Sequence, residues 1–64
     1  MVKNRLKDII TTKGLKQNWL SEQVGVTPTT LGNIINNRFN TSLEVALRLA
    51  IVLEMKVEDI FEIW

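Results

Sequence analysis

Apolar residues recur at helical spacing along most of the chain, and turn-forming residues divide the repeats into separate segments. The first segment covers about residues 3–12 and is followed by Gly14, a helix stop signal. The second begins at Gln17 and ends before Gly25, where a left-handed glycine would terminate a helix. Two short helices joined by a turn are therefore predicted. The apolar positions that carry the spacing are Leu6, Ile9, Ile10, Leu20 and Val24.

A third helix is predicted to start at Thr27-Pro28. Threonine is a good N-cap, and proline suits the first helical position because the missing N–H would have no partner there. Asn36-Asn37 can close this helix near residue 36, since asparagine tolerates the left-handed conformation. The residues expected to face inward are Leu31, Ile34 and Ile35.

The segment that follows contains a capping-box pattern, Thr41-Ser42-Leu43-Glu44, with Thr41 as the expected N-cap. It predicts a fourth helix that ends near Glu54, and a short fifth helix is expected at residues 57–61. No stretch shows strand-like alternation, so the predicted fold class is all-α. The stripe of the fourth helix expected to face the core comprises Leu43, Ala46, Leu47, Ala50 and Leu53.

Length and composition narrow the functional classes. A chain of 64 residues is expected to form one domain, residues 1–64. Cysteine and histidine are absent, which removes disulfides and the usual zinc, haem and general-base chemistry. No phosphate-binding loop or cleft carboxylate pair is evident, so neither an enzyme nor a cofactor or metal site is expected. Without a signal peptide or an apolar run of membrane-spanning length, a cytoplasmic protein is predicted.

Charge is unevenly distributed, although the formal net charge is only +1. Basic residues dominate residues 1–16 and acidic residues dominate residues 54–64. A positive end and a negative end of the domain are therefore expected. The small net charge by itself is weak support for a nucleic-acid partner.

The order of residue types in residues 17–36 is that of a helix-turn-helix. Ser21 is small where a second helix must approach closely, and Gly25 and Val26 can supply the turn and its apolar plug. The segment resembles the helix-turn-helix of the lambda repressor and Cro family, also called the XRE family, and the similarity continues through residues 41–47 and 57–61. The matching positions of the motif are Gln17, Leu20, Val24, Gly25, Val26, Thr27, Leu31, Ile34 and Asn36.

This resemblance implies a compact five-helix, lambda-repressor-like domain that regulates transcription, as a repressor, by binding double-stranded operator DNA as a homodimer. In that family the third helix enters the major groove and the second crosses the phosphate backbone. At 100° per residue, Thr29, Asn33 and Asn36 lie opposite the inward face, and Asn33 can form a paired contact with adenine. The residues expected to contact DNA are Lys16, Gln17, Thr27, Pro28, Thr29, Thr30, Asn33, Asn36, Asn37 and Arg38.

Three positions depart from the family pattern. Pro28 stands where many relatives place a polar base-contacting side chain, and the third helix has no lysine or arginine, which favours an A/T-leaning or shape-dependent site. Ile10 and Ile35 stand where several relatives have an arginine and a glutamate, so we expect these two isoleucines to contact each other in the core.

The C-terminal end is more apolar than a solvated terminus. Its surface residues Phe61, Ile63 and Trp64 either form a dimer contact or fold back over the domain. Trp19 is similarly open between a core edge and a partner contact. Two alternatives to a DNA-binding regulator therefore stay open: a protein-interaction module such as the antitoxin of a toxin–antitoxin pair, and an altered scaffold with weak DNA binding.

Overall fold

Helices account for most of the chain, as the spacing of apolar residues predicts. The computed structural model describes residues 2–38 and 40–63, and no helix within these ranges is long and apolar enough to cross a membrane. In chain order the elements are β1 (Val2–Asn4), α1 (Leu6–Lys13), α2 (Gln17–Val24), α3 (Pro28–Ile35), α4 (Leu43–Leu53), α5 (Val57–Ile60) and β2 (Phe61–Ile63).

The two strands were not expected, and they shorten the first and last helices. β1 pairs antiparallel with β2, with Lys3 opposite Glu62. The first helix therefore starts at Leu6 rather than residue 3, and α5 ends at Ile60 rather than residue 61. Strands of three residues are too short to show a period of two, and their pairing joins opposite ends of the chain, so no local pattern indicates them.

The sheet also corrects the expected separation of charge. Because the basic N-terminal segment lies beside the acidic C-terminal segment, opposite charges meet instead of occupying opposite ends of the domain. Arg5 Nη2 lies 3.5 Å from Glu62 Oε2. Both side chains are largely exposed, so this ion pair adds at most about 1 kcal/mol to stability.

Helices α1 to α4 all end in the same pair of backbone hydrogen bonds. At the end of α1, the N–H of Gly14 donates to Thr11 O (3.2 Å) and the N–H of Leu15 donates to Ile10 O (3.0 Å). This is the Schellman motif, in which one left-handed residue satisfies two carbonyls that the helix leaves without partners. The residues in the left-handed conformation are Gly14, Gly25, Asn37 and Glu54.

The starts of α3 and α4 are capped by side chains. Thr27 caps α3 as predicted, since its Oγ1 accepts a hydrogen bond from the N–H of Thr30 (3.1 Å). The capping box expected at Thr41 is wrong by one residue: Ser42 is the N-cap of α4, and its Oγ accepts from the N–H of Val45 (3.2 Å). Within the described residues, the buried Oγ1 of Thr41 has no hydrogen-bond partner.

The core lies between the helices and contains most of the apolar residues predicted on the first three of them, while Ile9 and Ile10 are partly buried against it. Ser21 is also fully buried, which agrees with its expected position at a close helix contact. Around the core, partly buried residues such as Leu15, Val26 and Met55 follow directly after helix ends and cover it. The buried apolar cluster consists of Leu6, Leu20, Val24, Leu31, Ile34, Ile35, Leu49, Leu53 and Ile60.

The face of α4 that enters the core differs from the predicted one. Ala46, Leu49 and Leu53 are buried, whereas Leu43 and Leu47 are exposed. The helix is apolar on nearly every side, so periodicity alone admits several inward faces. Its contacts with α2 and α5 select the face that is buried.

Ile10 and Ile35 both contribute to the interior. Ile35 is buried, and Ile10 is partly buried against the same cluster. Direct contact between the two isoleucines stays a prediction.

Asn4 joins the end of α3 to the start of α1. Its Nδ2 donates to Ile34 O (2.7 Å) and to Asn37 Oδ1 (3.2 Å), and its backbone N–H donates to the same Asn37 oxygen (3.2 Å). On the other side, Asn4 Oδ1 accepts from the N–H of Leu6 (3.1 Å), where α1 begins. One partly buried side chain therefore satisfies backbone groups at the termini of two helices.

We expect Asn4→Ala to lower the free energy of unfolding by about 1–3 kcal/mol, because it leaves the Leu6 N–H without its partner and removes one of the two hydrogen bonds to Ile34 O. Asn4→Asp should be at least as damaging, since it would place a carboxylate against two acceptor oxygens. Urea denaturation measures both, with Asn18→Ala, at an exposed asparagine of α2, as the matched control. An Asn4→Ala variant as stable as the control would contradict the assigned role.

Glu54 ends α4 at φ 55°, a conformation that costs an L-residue roughly 1 kcal/mol or more. We therefore expect Glu54→Gly to stabilise the fold by about 1 kcal/mol. Glu54→Gln removes the charge and keeps the backbone restriction, so it should recover only the small part due to a negative charge at a helix C-terminus. Equal thermal stabilities of the two variants would show that relief of backbone strain at position 54 does not stabilise the fold.

Candidate nucleic-acid interface

The helix-turn-helix occupies the predicted place in the chain. At the end of α2, Gly25 is left-handed with φ 76°, and the N–H of Val26 donates to Ser21 O (3.0 Å). The Oγ of Ser21 donates to Asn18 O (2.7 Å), so the hydroxyl of this fully buried residue has a hydrogen-bond partner. The turn therefore fixes α2 against α3 through a short connection in which Val26 packs against the core.

The face of α3 opposite the core is available to a partner. Leu31, Ile34 and Ile35 are buried, whereas Thr29 and Asn36 are exposed. Asn33 and Thr30 are half-buried at the same outer surface. None of the ten residues predicted to contact DNA is buried, so the fold leaves all of them accessible.

Thr27 and Thr30 form a linked pair at the start of α3. Besides accepting from the Thr30 N–H, Thr27 Oγ1 lies 2.9 Å from Thr30 Oγ1 and hydrogen-bonds to it. Thr27 is thus engaged within the fold as a cap, and its hydroxyl orients that of Thr30. A second hydrogen bond of the Thr30 hydroxyl can still be directed outward, because a hydroxyl both donates and accepts.

The side-chain amide of Gln17, at the start of α2, lies against α3 beside Gly32. A Cβ placed on Gly32 would come within 3.2 Å of Gln17 Nε2, which is closer than ordinary van der Waals contact. The absence of a side chain at position 32 therefore lets the Gln17 amide lie against the surface of α3. The sequence did not assign this role to Gly32, although a glycine in a helix interior is unfavourable by about 1 kcal/mol and signals such a close approach.

The C-terminal end of α3 is held by β1. Asn37 has φ 58°, as the sequence predicts for a residue that closes this helix, and its Oδ1 is occupied by Asn4. Its Nδ2 group has no hydrogen-bond partner among the described residues and can bind an anion. Asn4 itself was missed by sequence reasoning, since no local pattern connects it with a segment more than thirty residues away.

Arg38 occupies a special place just after α3. It follows the left-handed residue of the Schellman motif. The residues at the same point after α1, α2 and α4 are apolar and cover the core, whereas Arg38 is exposed. It makes no ion pair with any described residue. Lys16 is exposed before α2, and Glu22 is the only acidic residue from position 9 to position 43. The surface around the helix-turn-helix is therefore mildly positive.

The C-terminal residues divide between core and surface. Phe61 is half-buried against the core, and Ile63 is 84% exposed. Trp64 lies outside the described residues. The side chain of Trp19, on α2, is 43% exposed and therefore lies at the surface.

Comparison with known proteins agrees with this geometry. The family model described as helix-turn-helix matches residues 6–60, which include every helix from α1 to α5. An uncharacterized HTH-type transcriptional regulator of Bacillus subtilis (strain 168), YgzD, is 37% identical over 60 residues, 94% of this chain and 91% of that protein.

Two solved structures share the fold. A candidate DNA-binding protein from Bacteroides fragilis superimposes with a TM-score of 0.86 at 26% identity, over 97% of this chain and 100% of the other. The restriction-modification controller protein C.AhdI from Aeromonas hydrophila gives a TM-score of 0.79 at 31% identity, over 86% of this chain and 83% of its own.

The family is one of helix-turn-helix transcriptional regulators rather than enzymes, and its model spans nearly all of this chain. Together with the Gly25 turn and the packing of α2 on α3, it shows that the chain belongs to the helix-turn-helix family of DNA-binding transcriptional regulators, with a lambda-repressor-like fold.

Proposed function

We propose that this protein is a sequence-specific repressor that inserts α3 into the major groove of an operator and binds its two half-sites as a homodimer. The observation that carries the proposal is the two-sided character of α3. Its inner face is buried in the core, and its outer face presents threonine and asparagine side chains that can bond base edges. A small protein seated in this way blocks other proteins from the same DNA.

The base-reading residues are Thr29, Asn33 and Asn36. The Asn33 carboxamide can donate to adenine N7 and accept from N6, and Thr29 can contact a thymine methyl group. Pro28 offers only apolar contact. With no guanidinium or ammonium group on α3, the strongest guanine contact is missing, so the preferred site is rich in A·T pairs.

Phosphate contacts come from both sides of α3. On the α2 side, no side chain caps the helix, so its first backbone N–H groups can bind a phosphate beside Gln17 and Lys16. On the other side, Asn37 Nδ2 and Arg38 follow α3, and the Thr30 hydroxyl can donate outward while its oxygen accepts from Thr27. These groups fix the orientation of α3 without reading sequence.

Asn33 and Arg38 should have distinguishable effects on binding. We expect Asn33→Ala to weaken binding to the preferred operator by about 1–3 kcal/mol and to relax the adenine preference at one position of each half-site. Arg38→Ala should weaken binding to all sequences alike and reduce the slope of log affinity against log salt by about 0.9 per protomer. Selection from random DNA at a stated salt concentration, followed by salt titration, measures both effects. A guanine-rich consensus at the Asn33 position would refute the assignment.

Gly32 provides a second test, because stability and binding should change in opposite directions. Gly32→Ala should stabilise α3 by about 0.5–1 kcal/mol through helix propensity while displacing the Gln17 amide and weakening DNA binding. If the loss acts through Gln17, the double variant Gln17→Ala/Gly32→Ala should bind no more weakly than Gln17→Ala alone. Additive losses would instead indicate that the new methyl group collides with DNA.

A further inference from the structure

The two strands of the sheet each have an outer edge, and the register fixes which backbone groups lie there. Lys3 is opposite Glu62, and the N–H of Arg5 donates to Ile60 O (2.9 Å) in the same register. Opposite pairs of an antiparallel ladder alternate between bonded and non-bonded, so these two pairs are the bonded ones. The residues between and beyond them therefore direct their backbone groups away from the partner strand.

The outer edge of β1 is closed by two asparagine side chains. The N–H of Val2 donates to Asn40 Oδ1 (3.4 Å), and the N–H of Asn4 donates to Asn37 Oδ1 (3.2 Å). Both asparagines belong to the segment that joins α3 to α4. The outward N–H groups of β1 are thus already bonded within the fold.

The outer edge of β2 is open. The N–H of Phe61 donates to Val57 O at the end of α5, but the C=O of Phe61 and both backbone groups of Ile63 bond to no described residue. Ile63 is also strongly exposed. We call these three groups, Phe61 O, Ile63 N–H and Ile63 O, the open edge of β2. A row of unpaired groups on an edge strand is a template for another extended chain.

A groove of about 380 Å³ lies between β2 and the start of α4. Phe61 and Ile63 line it from the same face of the sheet, because side chains two residues apart on a strand point to the same side. An extended segment paired with the open edge would direct every second side chain to this face. The opposite walls are mostly apolar and include Leu43, Ala46 and Val57, so the groove suits an aliphatic side chain.

The charge of the groove indicates which segment fits. Its charged walls are Glu58 and Glu62, and no lysine or arginine is among the described residues that line it. Glu62 faces Arg5, whereas Glu58 makes no ion pair with a described residue. A second copy of β2 in this position would carry the same two glutamates and be repelled, because like charges on neighbouring strands are unfavourable. A segment with lysine or arginine beside its aliphatic residues would be attracted instead.

We propose that the open edge of β2 binds an extended segment of another protein, in which aliphatic and basic residues alternate. The backbone of the segment adds a third strand to the sheet by bonding to Phe61 and Ile63. An aliphatic side chain enters the groove, and a basic side chain reaches Glu58 or Glu62. Strand addition of this kind takes its affinity from main-chain hydrogen bonds and its specificity from the side-chain pockets.

This site is separate from the surface assigned to DNA. The end of α3 meets the sheet through Asn4 on β1, at the opposite edge, and no wall of the groove is a residue assigned to DNA. The protein can therefore hold the segment and DNA together. A strand added to β2 would extend the same sheet that holds the end of α3.

Nuclear magnetic resonance titration of the isotope-labelled protein with a synthetic peptide, acetyl-Val-Lys-Val-Lys-Val-amide, tests the proposal. Millimolar peptide should shift the backbone amide signals of Phe61 and Ile63 and slow hydrogen exchange of the Ile63 N–H, which becomes bonded. The same peptide with its backbone amides N-methylated cannot donate hydrogen bonds, so it should bind about tenfold more weakly or worse. No binding of the first peptide, or equal binding of the two, would overturn the proposal.

A matched pair of variants tests the protein side of the same bonds. Ile63→Pro removes the outward N–H and breaks no bond within the sheet, since proline is tolerated where an edge strand faces solvent. It should weaken binding of the lysine peptide about tenfold or more. Ile63→Val keeps the N–H and an aliphatic side chain, so it should bind as the natural chain does. Equal binding by the two folded variants would show that the edge is not used, and the N-methylated peptide decides the question if Ile63→Pro does not fold.

Charge reversal in the peptide tests the chemistry of the partner. Glutamate in place of both lysines should weaken binding severalfold, because exposed charges interact modestly. Glu58→Gln should reduce this preference, whereas Glu22→Gln, on α2 and away from the groove, should leave it unchanged. A preference for the glutamate peptide would contradict the proposal. Signals of β2 that shift with protein concentration in the absence of peptide would identify the occupant as a second copy and would also overturn it.

Discussion

The fold depends on ending short helices abruptly. No described helix exceeds 11 residues, and helices of this length are not stable by themselves in water, so each must turn back at once to pack against the others. The Schellman motif provides this turn after α1, α2, α3 and α4. After α1, α2 and α4 the residue that follows the left-handed one is apolar and covers the core. After α3 it is Arg38, so the same backbone device delivers a cation to the surface beside the proposed reading helix.

The helix that we propose reads DNA, α3, is held at both ends by side chains outside it. Thr27 satisfies the backbone at its start, while Asn4 and Asn37 satisfy Ile34 O and close the turn at its end. Since Asn4 belongs to β1, which pairs with β2, the chain ends secure the position of α3. A small core without disulfides offers limited rigidity, and these hydrogen bonds orient α3 without occupying its outer face.

The surface shows where the sequence departs from what folding alone would favour. Gly32 weakens α3 locally and admits the Gln17 amide. Leu43 and Ile51 expose apolar area that contributes little to the core of a single chain. Such local conflicts with stability are expected at functional sites, and Gly32 lies at the surface through which we propose that the protein meets DNA.

Local sequence patterns were enough to predict the number of helices, most of their ends and the outward residues of α3, because caps, left-handed residues and a 3.6-residue period are local signals. They could not determine the sheet between the chain ends, the role of Asn4 or the inward face of α4. The sheet and the Asn4 contacts join segments distant in sequence. The outer leucines of α4 resemble its inner ones in polarity, so only packing against α2 and α5 decided which of them would be buried.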